Sequence, residues 1–266
     1  MCTSFAVYTT RPLYGMNFDF PQAPIWLRLK PGAQGDVFYL CFEREGAIHA
    51  TAGLNAAGLF AASQILVAHF EMEPAADTED WISPYEIFIR SLQTGESVAD
   101  VLAILGERRL AYSPDRKGHQ LYADCQGSAC ILEPGPRGNR VYRSNGPCMV
   151  MTNRPAQKEM DRAAGNITRL GVDRYQIASQ LIEARRDRFD IEDGFEVLRQ
   201  VMLIRGRFTT QASMVLDPQA GEVYLALRKD FSRVWKVDIR ERSVQAFEGF
   251  AESWKAELDE RGVLLG

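Results

Sequence analysis

Alternation of apolar and polar side chains dominates the amino-terminal quarter of the chain. Aromatic and β-branched residues fill four segments with a rough period of two, which predicts strands because successive side chains of a strand point to opposite faces. The segment Leu54-Asn55-Ala56-Ala57-Gly58 joins the last two, and its Asn and Gly favour a tight turn. The four predicted strands cover residues 3–9, 36–42, 48–53 and 59–67.

The pattern changes to helical spacing after Pro84. Apolar residues then recur every three or four positions, and Ser97 opens a second such run that ends before Gly106. Two later apolar stripes predict helices over residues 171–185 and 191–203. Alternation returns around these helices and predicts further strands at residues 121–124, 129–132 and 141–142, and a hairpin of residues 210–216 with 222–227.

Strands and helices therefore come in runs rather than in regular alternation. This order favours an α+β layered fold over a doubly wound parallel sheet. The 266 residues are 46% hydrophobic and 25% charged, which is typical of a globular protein. No repeat, linker or low-complexity segment interrupts the pattern, so residues 1–266 are predicted to form a single domain.

Charge and hydropathy exclude several classes of partner. A formal net charge of −4 argues against a nucleic-acid-binding protein. The longest apolar stretch, residues 58–68, is shorter than the roughly 18 apolar residues of a spanning helix, so membrane insertion is not expected.

The first ten residues lack the basic and apolar regions of a secretory signal, which favours a cytoplasmic location. The five cysteines are scattered and odd in number, so reduced thiols are expected.

Sequence signatures of cofactor and metal sites are absent. The chain has no glycine-rich nucleotide-binding motif, and its three histidines, His49, His69 and His119, stand apart from one another. The spacing of Cys125 and Cys130 fits neither a zinc knuckle nor a redox motif, and both are interpreted as core thiols. We therefore expect no cofactor and no metal.

Cys2 stands out for its position. Initiator Met is ordinarily removed when the second residue is small, which would make Cys2 the first residue of the mature chain. A free α-amine has an ordinary pKa of about 7.7 to 8.0, so its neutral form can take the thiol proton directly or through water. Position alone favours a structural role for Cys2, as a small buried residue that begins a strand. The segments described next favour a catalytic role instead.

Five segments between Cys2 and Asp217 carry residues that occur together in one enzyme family. They are Cys2-Thr3 with Gly15, Asn17 and Asp19; Asn55-Ala56-Ala57-Gly58-Leu59; Thr152-Asn153-Arg154-Pro155; Asp173-Arg174-Tyr175; and residues 209–217. In these residues and their order, the chain resembles the linear amide C–N hydrolases of the amino-terminal-nucleophile superfamily. That family includes choloylglycine hydrolase, penicillin V acylase and acid ceramidase.

The resemblance implies a fold, an activity and a site. The implied fold is a four-layer αββα sandwich of two antiparallel sheets with helices outside. The implied reaction is hydrolysis of the linear amide bond of an N-acyl small molecule through an acyl-enzyme on Cys2. The resemblance implies that Cys2 is both nucleophile and base, and that the carboxylate of Asp19 orients its amine. It implies Asn153 as the oxyanion donor and Arg174 as the cation near the thiolate and the intermediate. The implied substrate contacts are Phe18, Gln64 and Ile65.

Two departures from the family pattern keep alternatives open. Met16 stands where the family has Arg, and Ser63-Gln64-Ile65 lacks the second oxyanion Asn, which leaves a backbone N–H or the Gln64 amide for that role. Met16 leaves open a catalytically silent relative that binds a ligand or a partner. The nearest variant of the reaction itself is acyl transfer to another amine, of the isopenicillin N acyltransferase type. A homo-oligomer is also compatible with the sequence.

Overall fold

The structure is a computed structural model that describes residues 2–67, 80–111, 118–144, 146–157 and 173–265. Its helices are α1 (Pro84–Thr94), α2 (Val98–Leu105), α3 (Arg174–Arg185) and α4 (Ile191–Gln200). Its strands in the first half are β1 (Thr3–Tyr8), β2 (Pro12–Phe20), β3 (Ile25–Gly32), β4 (Gly35–Arg44), β5 (Ala47–Asn55), β6 (Phe60–Ile65), β7 (Trp81–Ile82), β8 (Arg109–Leu110), β9 (Gly118–Ala123) and β10 (Ala129–Glu133). The remaining strands are β11 (Arg140–Arg143), β12 (Cys148–Thr152), β13 (Thr209–Asp217), β14 (Glu222–Leu227), β15 (Asp230–Asp238), β16 (Ser243–Glu248), β17 (Lys255–Glu257) and β18 (Val263–Leu265).

Two eight-stranded antiparallel sheets form the centre of the molecule. The first sheet has the order β12-β1-β2-β13-β14-β15-β16-β17, and the second has the order β11-β10-β9-β6-β5-β4-β3-β18. β7 and β8 form a separate short parallel pair. Because β1 lies between β12 and β2, the residue that precedes it has a neighbouring strand on each side.

Three apolar layers hold the sheets and helices together. Tyr14 and Phe60 are buried between the two sheets, and Phe88 is buried between the second sheet and α1 and α2. Phe5 and Phe189 are buried between the first sheet and α3 and α4. The layers therefore follow one another as helices, sheet, sheet and helices, which confirms the αββα sandwich. The described residues contain no helix that is both long and apolar enough to cross a membrane.

Most predicted elements are present, with corrections at the helix ends. The helix predicted over residues 171–185 begins at Arg174, and residues 171 and 172 lie outside the described residues. The helix predicted to reach residue 203 ends at Gln200. The reason is that Leu203 pairs with Thr210, whose backbone N–H donates to the Leu203 carbonyl at 3.0 Å, so the chain has left the helix by that point.

Two of the segments behind the family resemblance have structural roles. Gly15 lies opposite Phe5 across β1 and β2, and a Cβ at Gly15 would lie 2.2 Å from the Phe5 ring. The side chain of Asn55 accepts from the Leu59 N–H at 2.9 Å, while Gly58 adopts a φ of +84° that favours glycine. Gly15 therefore allows close packing between β1 and β2, and Asn55 and Gly58 stabilise a turn. None of the three contributes a group to the site described below.

Candidate active site

Four strand and helix ends converge at one end of the first sheet. The register places Thr3 opposite both Asn17 on β2 and Thr152 on β12, so the residues next to these pairs are neighbours in space. All four predicted catalytic residues lie in this region: Cys2 before β1, Asp19 near the end of β2, Asn153 after β12 and Arg174 at the start of α3.

The thiol of Cys2 is buried against the backbone of Asp19. The Asp19 N–H donates to Cys2 Sγ at 3.5 Å, and only 6% of Cys2 is exposed. Burial raises the pKa of the Cys2 thiol to about 11, an effect that the nearby Arg174 charge partly opposes. The thiol is therefore protonated at neutral pH, and nucleophilic attack requires a base to remove its proton.

Arg174 connects the other site residues. Its Nη1 donates to the Cys2 carbonyl at 2.9 Å, to Thr3 Oγ1 at 3.0 Å and to Asp19 Oδ2 at 3.2 Å. Its Nη2 donates to Asn153 Oδ1 at 3.2 Å. The rigid guanidinium fork makes this set of contacts possible with a single side chain.

Met16 occupies the position of the missing family arginine. Its side chain is fully buried in the layer between the sheets. The cation beside Asp19 comes instead from Arg174, which forms a buried ion pair with that carboxylate. The site thus contains a positive charge despite the departure noted in the sequence.

The carboxylate of Asp19 is held by two donors. Thr210 Oγ1 donates to its Oδ1 at 2.6 Å, and Arg174 binds its Oδ2. Burial raises the pKa of Asp19 to about 6, and the hydrogen bond from Thr210 and the Arg174 charge oppose this rise. The carboxylate is consequently ionised for the most part at pH 7.

Asn153 contacts the backbone nitrogen of Cys2. Its Oδ1 accepts a short hydrogen bond from that nitrogen, and its Nδ2 donates to the Ile65 carbonyl at 2.7 Å. Its own carbonyl accepts from the Val67 N–H at 2.6 Å. The side chain of Asn153 is thereby fixed beside the atom that would become the amine of a chain without Met1.

A buried contact between Glu133 and His119 supports the segment that carries Asn153. Glu133 Oε1 accepts from the Ala156 N–H at 2.9 Å and lies 2.9 Å from His119 Nδ1, with both side chains almost fully buried. Glu133 carries no sequence signal of a site residue, because its neighbour Pro134 marks it as part of a turn. No sequence signal links it to Asn153, since the contact depends on how β10 and β12 meet.

A cavity of about 640 Å³ opens beside Cys2. The predicted substrate contacts Phe18, Gln64 and Ile65 all line it. The Gln64 amide, in the orientation that satisfies both its ends, donates to the Cys2 carbonyl at 3.2 Å and accepts from Ser4 Oγ at 2.6 Å. Gln64 therefore connects the second sheet to the residue that carries the thiol.

Four rings in contact with one another form one side of this cavity. Phe20 lies 5.4 Å from Phe18 and 4.5 Å from Phe42, measured between ring centroids, and His49 lies 5.5 Å from Phe42. All four residues line the cavity. We call these four residues the aromatic wall. Sequence reasoning missed Phe42 and His49, because they reach the site from β4 and β5 through pairing between strands.

The remaining thiols and acids are dispersed. Within the described residues, no three His, Cys, Asp or Glu side chains come together as a metal site would require. Cys130 is buried in the core, as predicted, whereas Cys125 is only half-buried because it lies on the turn next to Gly58. His69 lies outside the described residues.

Solved structures provide an independent comparison. No protein-family model and no curated protein sequence matches the chain. A variant of conjugated bile acid hydrolase from Clostridium perfringens matches with a TM-score of 0.71 at 16% identity, over 98% of this chain and 98% of its own. Penicillin V acylase from Agrobacterium tumefaciens matches with a TM-score of 0.70 at 16% identity, over 100% of this chain and 98% of its own. The chain has the amino-terminal-nucleophile hydrolase fold.

A third match extends the comparison. The N-acylethanolamine-hydrolyzing acid amidase orthologue of Caenorhabditis elegans matches with a TM-score of 0.57 at 16% identity, over 82% of this chain and 93% of its own. At this identity the likeness is one of fold, and the chemistry depends on the residues of the site.

Proposed function

We propose that this protein is a cysteine-dependent amidase or acylase, which cleaves the linear C–N amide bond of an N-acyl small molecule through an acyl-enzyme on Cys2. One observation carries the proposal. Cys2 lies on the cavity wall, and Asp19, Asn153 and Arg174 are all within hydrogen-bond distance of its atoms. This arrangement combines a nucleophile, a charge pair and an amide in one substrate-sized space.

The α-amine of Cys2 acts as the base in this reaction. Because burial raises the pKa of the thiol to about 11, the thiol needs a proton acceptor, and the neutral amine on the same residue is within reach. The thiolate attacks the substrate carbonyl carbon, and the proton moves to the amine. When the C–N bond breaks, the leaving amine takes that proton and the acyl group remains on sulfur as a thioester. Water then attacks the thioester, which releases the carboxylic acid and restores the thiol.

Asn153 and Arg174 stabilise charge during both steps. The Nδ2 of Asn153 carries two hydrogens, of which one is bound to the Ile65 carbonyl, and the second is assigned to the oxyanion of the tetrahedral intermediate. Asn153 Oδ1 meanwhile fixes the amine nitrogen. The Arg174 charge balances the ionised Asp19 and lowers the energy of the thiolate.

The aromatic wall favours an apolar acyl group. Phe18 and Phe20 have stacked rings, with 16° between their planes, next to the residue that carries the thiol. The cavity mouth carries Arg44 and Glu45, whose side chains are largely exposed. The acyl part of the substrate therefore packs on the wall, while the amine part faces the more polar opening.

Intact-mass spectrometry with an electrophilic β-lactone tests the proposal. We expect one acyl adduct on a chain that lacks Met1, because only a free amine activates Cys2. Met1 itself lies outside the described residues. A Cys125→Ser variant serves as control, since Cys125 is half-buried and does not line the cavity, and it should take up the same single adduct. An adduct on a chain that uniformly retains Met1 would eliminate the amine as the base.

Phe18→Leu is expected to change discrimination between acyl groups. The shorter, non-planar side chain alters the wall, so the ratio of kcat/KM values between a long and a short acyl chain should change about tenfold. The assay uses a panel of N-acyl amides with one fixed amine and varied acyl length. Phe38→Leu is the matched control, because Phe38 is buried between the sheets and does not line the cavity. An unchanged acyl profile in Phe18→Leu would place the acyl pocket elsewhere.

A further inference from the structure

A β-bulge lies beside the candidate site. Along the pairing of β13 with β2, Thr210 lies opposite Asp19 and Ala212 lies opposite Phe18, so Gln211 is one extra residue on β13. Bulges of this kind bend a strand locally and redirect a side chain. The extra residue is held in place, because Gln211 Nε2 donates to the Phe20 carbonyl at 3.2 Å.

The bulge decides which residue faces Asp19. On β13, Ala212 and Met214 point into the layer between the sheets, and regular alternation would send Thr210 to that same face. The extra residue reverses the alternation, so that Thr210 joins Asp19 on the other face. Without the bulge, Gln211 would lie opposite the carboxylate.

The hydroxyl of Thr210 has a fixed direction. It accepts from the Leu203 N–H at 2.8 Å, and the Thr210 N–H donates to the Leu203 carbonyl at 3.0 Å. A hydroxyl has one hydrogen to donate, and here that hydrogen points to Asp19 Oδ1 at 2.6 Å. Thr210 is fully buried, so water does not compete for this bond.

We propose that Thr210 is a positioning residue, which the bulge brings to Asp19 in order to hold the carboxylate ionised and to direct its other oxygen at Arg174. The inference rests on the proposed function. Besides Thr210 on β13, the charged and titratable groups of the described residues that face Asp19 include Arg174 on α3 and the thiol of Cys2 before β1. Thr210 supplies the neutral hydrogen bond that complements the Arg174 charge.

The proposal predicts a shift in the pH profile. Burial raises the pKa of Asp19 to about 6 and the Thr210 hydrogen bond lowers it, so loss of that bond raises the pKa further. Since the reaction uses the carboxylate form, activity falls as pH falls through this pKa. In a plot of kcat/KM against pH, the acid limb is the fall in activity at low pH. We expect Thr210→Val to move this acid limb to higher pH by about one unit. Thr210→Ser keeps the hydroxyl and should keep the wild-type limb.

Ser213→Ala is the matched control for loss of a buried bond between β13 and β2. Ser213 Oγ lies 2.7 Å from Asn17 Oδ1, on the same two strands but away from the carboxylate. This variant should leave the acid limb in place. If Thr210→Val has the wild-type limb, or if Ser213→Ala shifts it equally, the positioning role is wrong.

Carbon-13 NMR of the Asp19 carboxyl separates this inference from the proposed function. The titration of Asp19 can be followed in the wild-type protein and in Thr210→Val without any turnover. A higher Asp19 pKa in Thr210→Val supports the inference even if no amide is hydrolysed, in which case the proposed function alone fails. If the Asp19 pKa is the same in Thr210→Val as in the wild type, and the wild-type protein hydrolyses amides, the Thr210 inference alone is overturned.

Discussion

Cys2→Ala is expected to lower amide turnover by at least about four orders of magnitude while the fold stays intact. The substitution removes the only proposed nucleophile. It leaves the main chain at residue 2 unchanged, so the contacts of its nitrogen with Asn153 and of its carbonyl with Arg174 persist. The lost sulfur is small, and its closest polar partners are backbone atoms of Asp19.

Amine release and intact mass measure this effect together. Cys2→Ala should release no amine above background and should form no adduct with the β-lactone. Cys41→Ala is the matched control, because Cys41 is an equally buried thiol that does not line the cavity. It should keep wild-type turnover. If Cys2→Ala hydrolysed amides as fast as the wild type, the whole site assignment would be wrong.

The strands that the sequence predicted are segments rich in aromatic and β-branched residues with a rough period of two. β3 was missed although Ile25, Leu27 and Leu29 are buried at every second position, because Trp26 is an apolar residue on the opposite face and hides the period. β15 was missed for another reason. Its pairing with β16 shifts register between Val234 and Trp235, and a bulge breaks the period of two on which strand prediction depends.

The candidate site was predictable only where a residue type carries chemistry by itself. Cys2 drew attention because removal of Met1 would place a thiol and a free α-amine on one residue. The family resemblance then favoured a catalytic role for Cys2 over a structural one and supplied Asp19, Asn153 and Arg174. Thr210 gave no such signal. It lies 191 residues from Asp19 in sequence, and its contact depends on the register of β13 with β2 and on one extra residue in a bulge. A single sequence contains no period or motif that encodes such a register.

Arg174→Lys is expected to lower kcat by about two to three orders of magnitude. One guanidinium reaches Asp19 through Nη1 and Asn153 through Nη2, whereas a single ammonium lacks the fork that serves both. Steady-state kinetics of amine release check the result. Arg185→Lys is the control on the same helix, since Arg185 forms a half-buried pair with Asp193, does not line the cavity and should not affect turnover. Wild-type kcat in Arg174→Lys would show that the fork has no part in the reaction.

Arg174→Met extends this prediction to stability, because it leaves the buried carboxylate of Asp19 without its cation. Loss of one partner of a buried ion pair costs about 3–5 kcal/mol in the free energy of unfolding. Burial already raises the pKa of Asp19 in the folded state from 3.8 to about 6, and loss of the cation raises it further. The folded state therefore binds a proton more tightly than the unfolded state, so the cost is present in full above the folded pKa and disappears as pH falls below the unfolded pKa. Urea denaturation should show a large difference in the free energy of unfolding between Arg174→Met and the wild type at pH 7.5, and a smaller difference at pH 5. A difference that is constant with pH would mean that Arg174 stabilises the fold through packing and not through the charge of Asp19.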